Sequence, residues 1–497
     1  MDISVRKEEL TTYACDLLVL GVFLKEKELS PEFAQVNEAL EGKLVSFMKE
    51  DKFKAKEGST FLMRTHGKIG AKRILVLGLG KKEFVSLESI RQATATSLGV
   101  AKGLGIKSVT SILHGSGIDS LNSIDCAQAM VEGAQLAMYS FDVYKKPTKI
   151  SPIRFDFICV PSAQLRQVQK GIQTGELMAC GTLLARDLVN TPAQDMYPEK
   201  LVKQARMIAK GKGTIQVKVY DTQALIRMGA GGILGVARGS DHPPFLVHMI
   251  YKPKKTTKKR VALVGKAVTF DSGGLSLKPA DYMTTMKADM AGAAAVLGVF
   301  SVIDEVAPHC EVHGIFGAVE NMPSGKAMRP GDVLIAMNKK SIEVLNTDAE
   351  GRLTLADTLG FAVKQKPQAI IDLATLTGAC MVALGEEITG LMSNNDELAG
   401  QVSSAAQTVG EKVWRLPLET NYKKLVKSNV ADLQNVGSRW GGALTAGLFL
   451  EEFVEKIPWV HLDIAGPAYA ERDIDPYTKK GATGHGVRTI LAYLKEF

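Results

Sequence analysis

The chain has 497 residues, 45% hydrophobic and 23% charged, and its 61 basic against 53 acidic side chains give a formal net charge of +8. That composition is ordinary for a soluble globular protein and leaves room for two or three domains. A positive excess this small, spread over the whole chain, does not by itself indicate a nucleic-acid-binding protein.

The cysteines and the N-terminus both favour an intracellular protein. The six cysteines are scattered without a CxxC pair, which is typical of reduced thiols in the cytosol and excludes a small disulfide-rich scaffold. The opening segment, MDISVRKEEL, lacks the apolar core of a signal peptide. No run approaches the ~18 uninterrupted apolar residues that a membrane span needs. We therefore expect a soluble, cytoplasmic protein with no membrane partner.

The hydrophobic pattern of the first part predicts alternating strands and helices. Apolar runs at 15–23 and 73–79 are typical of buried strands, and 86–102 is compatible with a helix. The proline-free stretch 164–188 predicts a long helix that ends before Pro192. We divide the chain accordingly into an N-terminal α/β domain (1–160), a connecting helix (161–190) and a larger second domain (191–497).

The second domain alternates in the same way. Strands are predicted at 260–270, 312–319 and 369–375, and helices at 290–304 and 352–364. The expected fold class is α/β, with two domains that each contain a mixed or mostly parallel sheet flanked by helices. Since ligands bind at the carboxyl ends of such strands, the active site is expected there, in the larger C-terminal domain.

The residues suited to chemistry lie in two segments, 264–290 and 346–352, and no HExxH, GxSxG or Walker motif is present. These segments supply four carboxylates near glycines and at predicted strand ends or loops: Asp271, Asp289, Asp348 and Glu350. Four carboxylates in one pocket repel one another and are tolerated only with cations between them. Hard oxygen ligands suit Mg²⁺, Mn²⁺ or Zn²⁺, and bridging carboxylates hold two such ions about 3.5–4 Å apart.

Three basic residues belong to the same segments. Lys278 and Arg352 would face the metal pair and stabilise negative charge on a substrate oxygen. Lys266 can ligate a metal only as a neutral amine, which requires dications to lower its pKa far below the reference of ~10.4. Ordinary structural roles compete with each assignment: Asp348 as a helix cap, Arg352 as the partner of a carboxylate, Lys266 as a solvated surface lysine. Spacing alone leaves these alternatives open.

Six segments closely resemble the leucine aminopeptidase (cytosol aminopeptidase) family of two-metal exopeptidases. The octapeptide NTDAEGRL at 346–353 is that family's signature, and the resemblance extends over roughly 180–497. The other matching segments are ARDLVNTP at 185–192, 265–279, MKADM at 286–290, DLATLTG at 372–378 and HLDIAG at 461–466. The resemblance implies that 191–497 is the catalytic metallo-aminopeptidase domain. The N-terminal domain, assigned by its position, is then an oligomerisation or regulatory domain.

The resemblance also implies a ligand set for two ions per subunit. Lys266, Asp271, Asp289 and Glu350 are expected to hold the tighter ion. Asp271, Glu350 and Asp348, the last with its backbone carbonyl as well, are expected to hold the exchangeable one. Asp271 and Glu350 would therefore bridge. Mn²⁺ is the expected metal and Zn²⁺ the alternative.

Two further residues have implied roles in catalysis. In the family, a water activated by both ions attacks the first peptide bond, so that N-terminal amino acids are released. Lys278 is expected to polarise the scissile carbonyl, and Arg352 to position a bicarbonate that serves as general base.

Five residues match positions that line the pocket for the first side chain of the substrate: Met286, Thr375, Gly378, Ala465 and Ala468. Their small or apolar character suits leucine and methionine, and ordinary core packing is the weaker alternative for each. Ala267 stands where relatives usually carry glycine, which restricts the backbone beside a metal ligand. We expect the site to tolerate it.

Partners follow from the same resemblance. Peptides are the expected substrates, and the family's members are homohexamers, which the sequence does not show independently. Nucleic acid is the weaker alternative: 252–260 carries six positive charges without aromatic residues for base stacking, which is typical of a solvated loop. A two-metal hydrolase of phosphate esters is a third reading, disfavoured by the octapeptide.

Overall fold

The computed structural model describes residues 1–25, 29–146 and 153–497, and the chain forms two compact units. The first unit comprises Met1–Ala179 together with Asp473–Lys479, and the second comprises Cys180–Arg472 together with Lys480–Phe497. The division falls within the long helix that was predicted to connect two domains. The short segment 473–479, which belongs to the first unit, was not foreseen.

The first unit contains one six-stranded sheet. The strands lie in the order β1-β6-β5-β2-β4-β3, and all neighbouring pairs are parallel except β3 with β4. The elements are β1 (Asp2–Val5), β2 (Leu17–Val22), α1 (Pro31–Ala39), α2 (Lys43–Glu50), β3 (Thr60–Arg64), β4 (Arg73–Gly78), α3 (Leu87–Gly103), β5 (Ser108–Ser111), α4 (Ser123–Ala137), β6 (Arg154–Phe157) and the first part of α5 (Leu165–Asn190).

The segment 473–479 is held in the first unit by a buried tyrosine. Tyr477 is 3% exposed, and its hydroxyl donates a hydrogen bond of 2.8 Å to Oε1 of Glu88 in α3. Glu88 also pairs with Arg91, whose Nε lies 2.8 Å from the buried carboxylate of Glu132. Because Arg91 and Glu132 are both buried, the charges in this network satisfy one another away from water.

The second unit contains an eight-stranded mixed sheet in the order β15-β14-β17-β13-β9-β10-β8-β7. Its four central strands, β17, β13, β9 and β10, are parallel. The elements are α6 (Pro198–Ala209), β7 (Ile215–Tyr220), α7 (Thr222–Met228), α8 (Gly231–Ala237), β8 (Phe245–Tyr251), β9 (Arg260–Asp271), α9 (Ala280–Met283), α10 (Ala291–Val306), β10 (Glu311–Asn321), β11 (Val333–Ile335), β12 (Ser341–Glu343), α11 (Gly351–Val363), β13 (Ala369–Ala374), α12 (Gly378–Leu384), β14 (Thr389–Ser393), α13 (Asp396–Thr408), β15 (Val413–Arg415), β16 (Leu433–Gln434), α14 (Gly442–Glu451), β17 (Trp459–Asp463), β18 (Tyr469–Ala470), β19 (Gly481–Ala482) and α15 (Val487–Glu496).

These two sheets confirm the predicted fold class of mixed α/β units flanked by helices. The central strands are buried on both faces, so β9 reads as a nearly continuous apolar run, as parallel strands do. The alanine- and glycine-rich helix α10 packs closely on β9 and β13. A Cβ added at Gly292 would lie 1.9 Å from the carbonyl oxygen of Leu373, so no larger residue fits at that contact.

The expectations about membrane-spanning segments and about the basic segment 252–260 can be compared with the structure. Among the described residues, Ala280–Val306 is the one helical stretch long and apolar enough to cross a membrane, but 83% of its apolar window is buried inside the protein, as in the core helix of a globular protein. Most of the basic segment 252–260 is exposed between β8 and β9, as expected for a solvated loop. The six cysteines, all within the described residues, are free thiols.

Candidate metal centre

The carboxyl end of β9 brings the two chemistry-bearing segments together. Lys266 lies within β9, Asp271 is its last residue, and the loop that follows carries Lys278. Asp289 directly follows a short 3₁₀ helix at Met286–Ala288 and lies two residues before the start of α10. The octapeptide leads into α11, and Arg352 lies in the first turn of that helix.

Three carboxylates form a cluster suited to a cation. Asp271, Asp348 and Glu350 each place one oxygen so that all three oxygens lie within 4.8 Å of one another. Asp271 is 2% exposed and Glu350 is 1% exposed, whereas Asp348 is partly exposed. Carboxylates buried this close together repel one another, and a divalent cation between them would relieve that repulsion.

Lys266 is buried in the same cluster, so its reading as a solvated surface lysine is wrong. It is 4% exposed, and its Nζ lies 2.7 Å from Asp289 Oδ1 and 3.0 Å from Glu350 Oε1. The Nζ also donates to the carbonyl oxygen of Thr375 at 2.8 Å. Burial lowers the pKa of Lys266, but the charges of Asp289, Glu350 and Asp271 outweigh it, so the net shift among the protein groups is upward.

Lys278 lies at the edge of the cluster and is partly exposed. Its Nζ is 2.9 Å from Asp271 Oδ2 and 2.5 Å from Asp348 Oδ1. Burial opposes the charged amine, yet these carboxylates raise the pKa of Lys278 above its ordinary value. The lysine is therefore a cation at neutral pH, held between two of the three clustered carboxylates.

Arg352 has no carboxylate partner among the ion pairs of the described residues. Its Nη1 donates to the carbonyl oxygen of Asn435 at 2.7 Å, and its buried Nε makes no hydrogen bond to any described part of the chain. Burial lowers the pKa of Arg352 to about 10, against the opposing charges of Glu350 and Asp463. The guanidinium is thus charged at neutral pH and available to an anion.

Asp348 does not cap α11, so the alternative role considered for it is also wrong. The N-cap of α11 is Glu350, and α11 has no side-chain cap hydrogen bond. The Asp348 carboxylate faces Lys278 instead.

The protonation behaviour of the acidic residues fits a cation site. Burial, reinforced by neighbouring carboxylates, raises the pKa of Asp271 to about 6 and that of Asp289 well above its ordinary value. The pKa of Asp348 is raised for the same reasons. Within the described residues, the buried Asp289 Oδ2 has no hydrogen-bond partner, and the buried Asp348 Oδ1 and Glu350 Oε1 are contacted by the ammonium groups of Lys278 and Lys266. Carboxylate oxygens that face only positive charge suit hard divalent cations.

A cavity of about 820 Å³ adjoins the cluster. Lys266, Asp271, Lys278, Asp289, Asp348 and Arg352 contribute to its walls. The five residues predicted for a side-chain pocket all line it as well: Met286, Thr375, Gly378, Ala465 and Ala468. The structure therefore brings every predicted site residue to one region, with Glu350 buried just behind the wall.

Thr375 has a second contact that the sequence did not suggest. Its hydroxyl donates to Asp289 Oδ1 at 2.8 Å, the same oxygen that accepts from Lys266. Since Oδ1 is thereby occupied twice, the unpaired Oδ2 of Asp289 is the oxygen available for a cation.

Sequence reasoning missed three buried polar residues beside the site. Asn321, at the end of β10, donates to Asp271. Asn435 holds Arg352 through its carbonyl and donates from its side chain to the carbonyl of Asn346 at 2.7 Å. Asp463 accepts from the hydroxyl of Thr377 at 2.7 Å and so fixes a loop of the cavity wall. Only Asp463 had a signal in the sequence, because it lies in the segment HLDIAG.

Gly351 lies directly against the side chain of Lys266, which leaves no room for a Cβ at that position. A Cβ added at Gly351 would lie 2.4 Å from Lys266 Cε and 2.7 Å from Nζ. Ala267, by contrast, is a buried strand residue without a positive φ, and it pairs in register with Ala318. The alanine there requires no backbone angle that only glycine adopts.

Both units match known protein families. Residues 183–491 match the description "Cytosol aminopeptidase family, catalytic domain", and residues 19–148 match "Cytosol aminopeptidase family, N-terminal domain". The probable cytosol aminopeptidase of Alkaliphilus oremlandii is 43% identical, covering 100% of this chain and 99% of that protein. That of Cyanothece sp. is 42% identical, with 99% of each chain covered.

Solved structures give the same result. A mutant of tomato leucine aminopeptidase has a TM-score of 0.90 at 36% identity, covering 100% of this chain and 97% of that one. The bottromycin maturation enzyme BotP in complex with Mn has a TM-score of 0.85 at 33% identity, covering 97% and 99%. With both units matched and relatives similar over their full length, this chain belongs to the cytosol aminopeptidase family of metallopeptidases.

Proposed function

We propose that this aminopeptidase releases leucine and other apolar residues from the N-termini of peptides, using two divalent ions. The observation that carries the proposal is the cluster of Asp271, Asp348 and Glu350 beside a cavity into which Lys278 and Arg352 also face. Carboxylates in this arrangement suit a two-ion site, and the two cations suit negative charge that develops on a substrate.

We propose that the residues divide between two ions as the family resemblance implies. Lys266, Asp271, Asp289 and Glu350 would hold the tighter ion, and Asp271, Glu350 and Asp348 the exchangeable one. When bound, such ions polarise a peptide carbonyl and lower the pKa of water to near neutrality. Mn²⁺ is the proposed metal and Zn²⁺ the alternative, and a relative, BotP, has been solved with Mn.

Lys278 and Arg352 would act on the substrate side. The ammonium of Lys278, held between Asp271 and Asp348 at the cavity wall, would donate to the oxygen of the first peptide carbonyl as negative charge develops. Among the described residues, the buried guanidinium of Arg352 has no carboxylate partner and its Nε makes no hydrogen bond, which favours a small anion and supports the proposed role in positioning bicarbonate as a general base.

The proposed preference for leucine rests on the cavity wall. Met286, Thr375, Gly378, Ala465 and Ala468 line it, and their side chains are small or apolar. A pocket of this character favours branched aliphatic or thioether side chains over charged ones, since it offers them apolar contact.

Assembly and location are proposals of the same kind. We propose a homohexamer in the cytosol, in keeping with the family to which the chain belongs and with relatives named cytosol aminopeptidases. Sedimentation would test the oligomeric state, with six copies of the 53.5 kDa chain as the expected assembly.

Metal-stripped protein is expected to be inactive on leucine p-nitroanilide and to recover when Mn²⁺ is restored. A panel of aminoacyl p-nitroanilides, assayed with Mn²⁺, Zn²⁺ and Co²⁺ added back singly, would report both the side-chain preference and the effective metal. The expected order places leucine and methionine above lysine and glutamate.

Two further substrates serve as controls in that assay. N-acetyl-leucine p-nitroanilide lacks the free amine, and p-nitrophenyl phosphate tests the alternative of a phosphate-ester hydrolase; neither is expected to react. Full activity after complete metal removal, or faster hydrolysis of the phosphate ester, would contradict the proposal.

Gly351→Ala is expected to weaken metal binding by about 10–100-fold, as loss of an oriented ligand does, with little loss of overall stability. The added Cβ would displace the flexible end of Lys266 from Asp289 and Glu350. Gly360→Ala in the same helix is the matched control, because its Cβ would meet nothing closer than 3.9 Å. Metal titration and thermal melting of both variants would check this, and equal metal affinities would contradict it.

A further inference from the structure

We infer that Asn321 is a positioning residue that orients the bridging ligand Asp271 and joins it to the segment carrying Asp348 and Glu350. This inference rests on the proposed two-ion function. Asn321 is 2% exposed and lies at the last position of β10, outside every segment that sequence reasoning associated with the site.

A bulge at the end of β9 places Asp271 opposite Asn321. The two strands are in regular parallel register as far as Val268 and Val319, but the next pair is Asp271 with Asn321. One extra residue therefore lies in β9 at this point. Lys266 and Asp271 are an odd number of residues apart, which in a regular strand would point their side chains to opposite faces. A bulge corrects this parity, as bulges near active sites commonly do.

The side-chain amide of Asn321 makes two hydrogen bonds with one nitrogen. Its Nδ2 donates to Asp271 Oδ1 at 2.8 Å and to the carbonyl oxygen of Thr347 at 3.1 Å. Both partners are pure acceptors, so the amide must present its NH₂ group to them. Asp271 Oδ1 also accepts from the backbone N–H of Gly273 at 2.9 Å. That oxygen is thereby occupied, and Oδ2 is left to face Lys278 and the ions.

The backbone of Asn321 is fixed as firmly as its side chain. Its carbonyl oxygen accepts from the Ser272 backbone N–H at 3.0 Å and from the Ser272 hydroxyl at 2.8 Å. The residue therefore cannot shift without moving the turn that follows Asp271. Held at both ends, its amide sets the separation between Asp271 and the backbone of Thr347, the residue before Asp348.

That separation determines whether two ions fit. Asp271 and Glu350 come from different segments, and as proposed bridging ligands each would have to reach both ions. Residues that orient a ligand by hydrogen bonding usually change metal affinity by about 10–100-fold when they are removed. Because Asp271 is proposed to bridge, loss of Asn321 would weaken both ions, whereas loss of a contact to Asp289 would weaken only the tighter one.

The test is a calorimetric titration of metal-stripped protein with Mn²⁺. Asn321→Ala is expected to raise the dissociation constants of both ions by about 10–100-fold. Asn321→Ser, whose hydroxyl is too short to span both acceptors, is expected to do the same and serves if the alanine variant folds poorly. Melting temperatures of the metal-free variants would report folding separately. Two Mn²⁺ ions bound with wild-type affinity by either folded variant would overturn the inference.

Asn394→Ala is the control for loss of a bridging asparagine. Asn394 also connects two backbone groups, donating to the carbonyl of Ile457 at 3.0 Å and accepting from the N–H of Trp459 at 2.8 Å, but it does not line the cavity. The Mn²⁺ affinity of Asn394→Ala is expected to stay at the wild-type value. A loss of affinity equal to that of Asn321→Ala would also overturn the inference, since the effect would then be general to bridging asparagines.

A second control separates the inference from the function on which it rests. Asp271→Ala, titrated in parallel, is expected to lose tight binding of both ions, and wild-type affinity in this variant would overturn the site and the inference together. Wild-type protein that binds two Mn²⁺ ions but does not hydrolyse leucine p-nitroanilide would contradict the proposed function alone. The comparison of Asn321 variants would still stand, because it measures binding rather than turnover.

Discussion

Replacing either of the two carboxylates that are proposed to bridge the ions should remove turnover. For Glu350→Ala and Asp271→Ala we expect kcat/KM to fall by about 10³-fold or more, because a metal-based site contributes several kcal/mol of transition-state stabilisation and each ~1.4 kcal/mol is tenfold in rate. Both side chains are almost fully buried, and each contacts a lysine of the site. Each truncation removes a carboxylate that is proposed to bind both ions, so metal binding should fail as well.

The control for this result is a glutamate a few residues upstream. Glu343 in β12 accepts a hydrogen bond from the Ser428 hydroxyl at 2.5 Å and does not line the cavity. Glu343→Ala should keep its metal content and activity near the wild-type values. Steady-state kinetics with metal analysis by mass spectrometry would decide the matter: a Glu350 or Asp271 variant that retains two ions and normal kcat/KM excludes the assignment.

Lys278→Ala should separate catalysis from metal binding. We expect kcat to fall by about 10²-fold or more, as when a donor to a developing oxyanion is lost. Metal affinity should be unchanged or higher, because the ammonium that competes for Asp271 Oδ2 and Asp348 Oδ1 is gone. That combination distinguishes a substrate-facing cation from a structural one, whose loss would reduce stability and metal binding together.

The measurement is kcat and KM at saturating Mn²⁺, with a titration of each variant. Lys412→Ala removes an exposed lysine that lies 2.8 Å from Glu387 and should change neither parameter, since surface ion pairs contribute about 0–1 kcal/mol. Lys278→Arg keeps the charge but replaces a compact ammonium with a planar guanidinium, so partial activity is expected. Wild-type kcat in Lys278→Ala would contradict the role.

Much of the fold and of the site could be predicted because the signals are local. The apolar run of β9 and the helix-compatible stretch of α11 lie within short windows, and their observed bounds differ from the predicted ones by a residue or so. The octapeptide likewise carries Asp348, Glu350 and Arg352 within a few positions. Such signals can be recognised in the sequence without any knowledge of the tertiary structure.

What could not be predicted depends on contacts between distant parts of the chain. Asn321 would ordinarily be read as a turn residue at a strand end, and the β9 bulge that brings Asp271 to it leaves no mark in the hydrophobic pattern. Asn435 reaches Arg352 from a loop far along the sequence. The burial of Lys266 could not be predicted either. No sequence pattern distinguishes a buried lysine in an apolar strand, and the partners of Lys266 come from three other segments of the chain.

The short segment Asp473–Lys479 means that the two units are not consecutive modules, although the two family descriptions match one continuous range each, 19–148 and 183–491. The chain leaves the second unit after Arg472, contributes Tyr477 to the core network of the first, and returns at Lys480. A chimera that exchanged residues 1–179 for those of a relative would therefore have to exchange 473–479 as well. Otherwise the Tyr477 hydroxyl would face the relative's helix in place of α3, which carries Glu88. The chimera would then contain a buried hydroxyl whose hydrogen-bond acceptor had not been carried over with it.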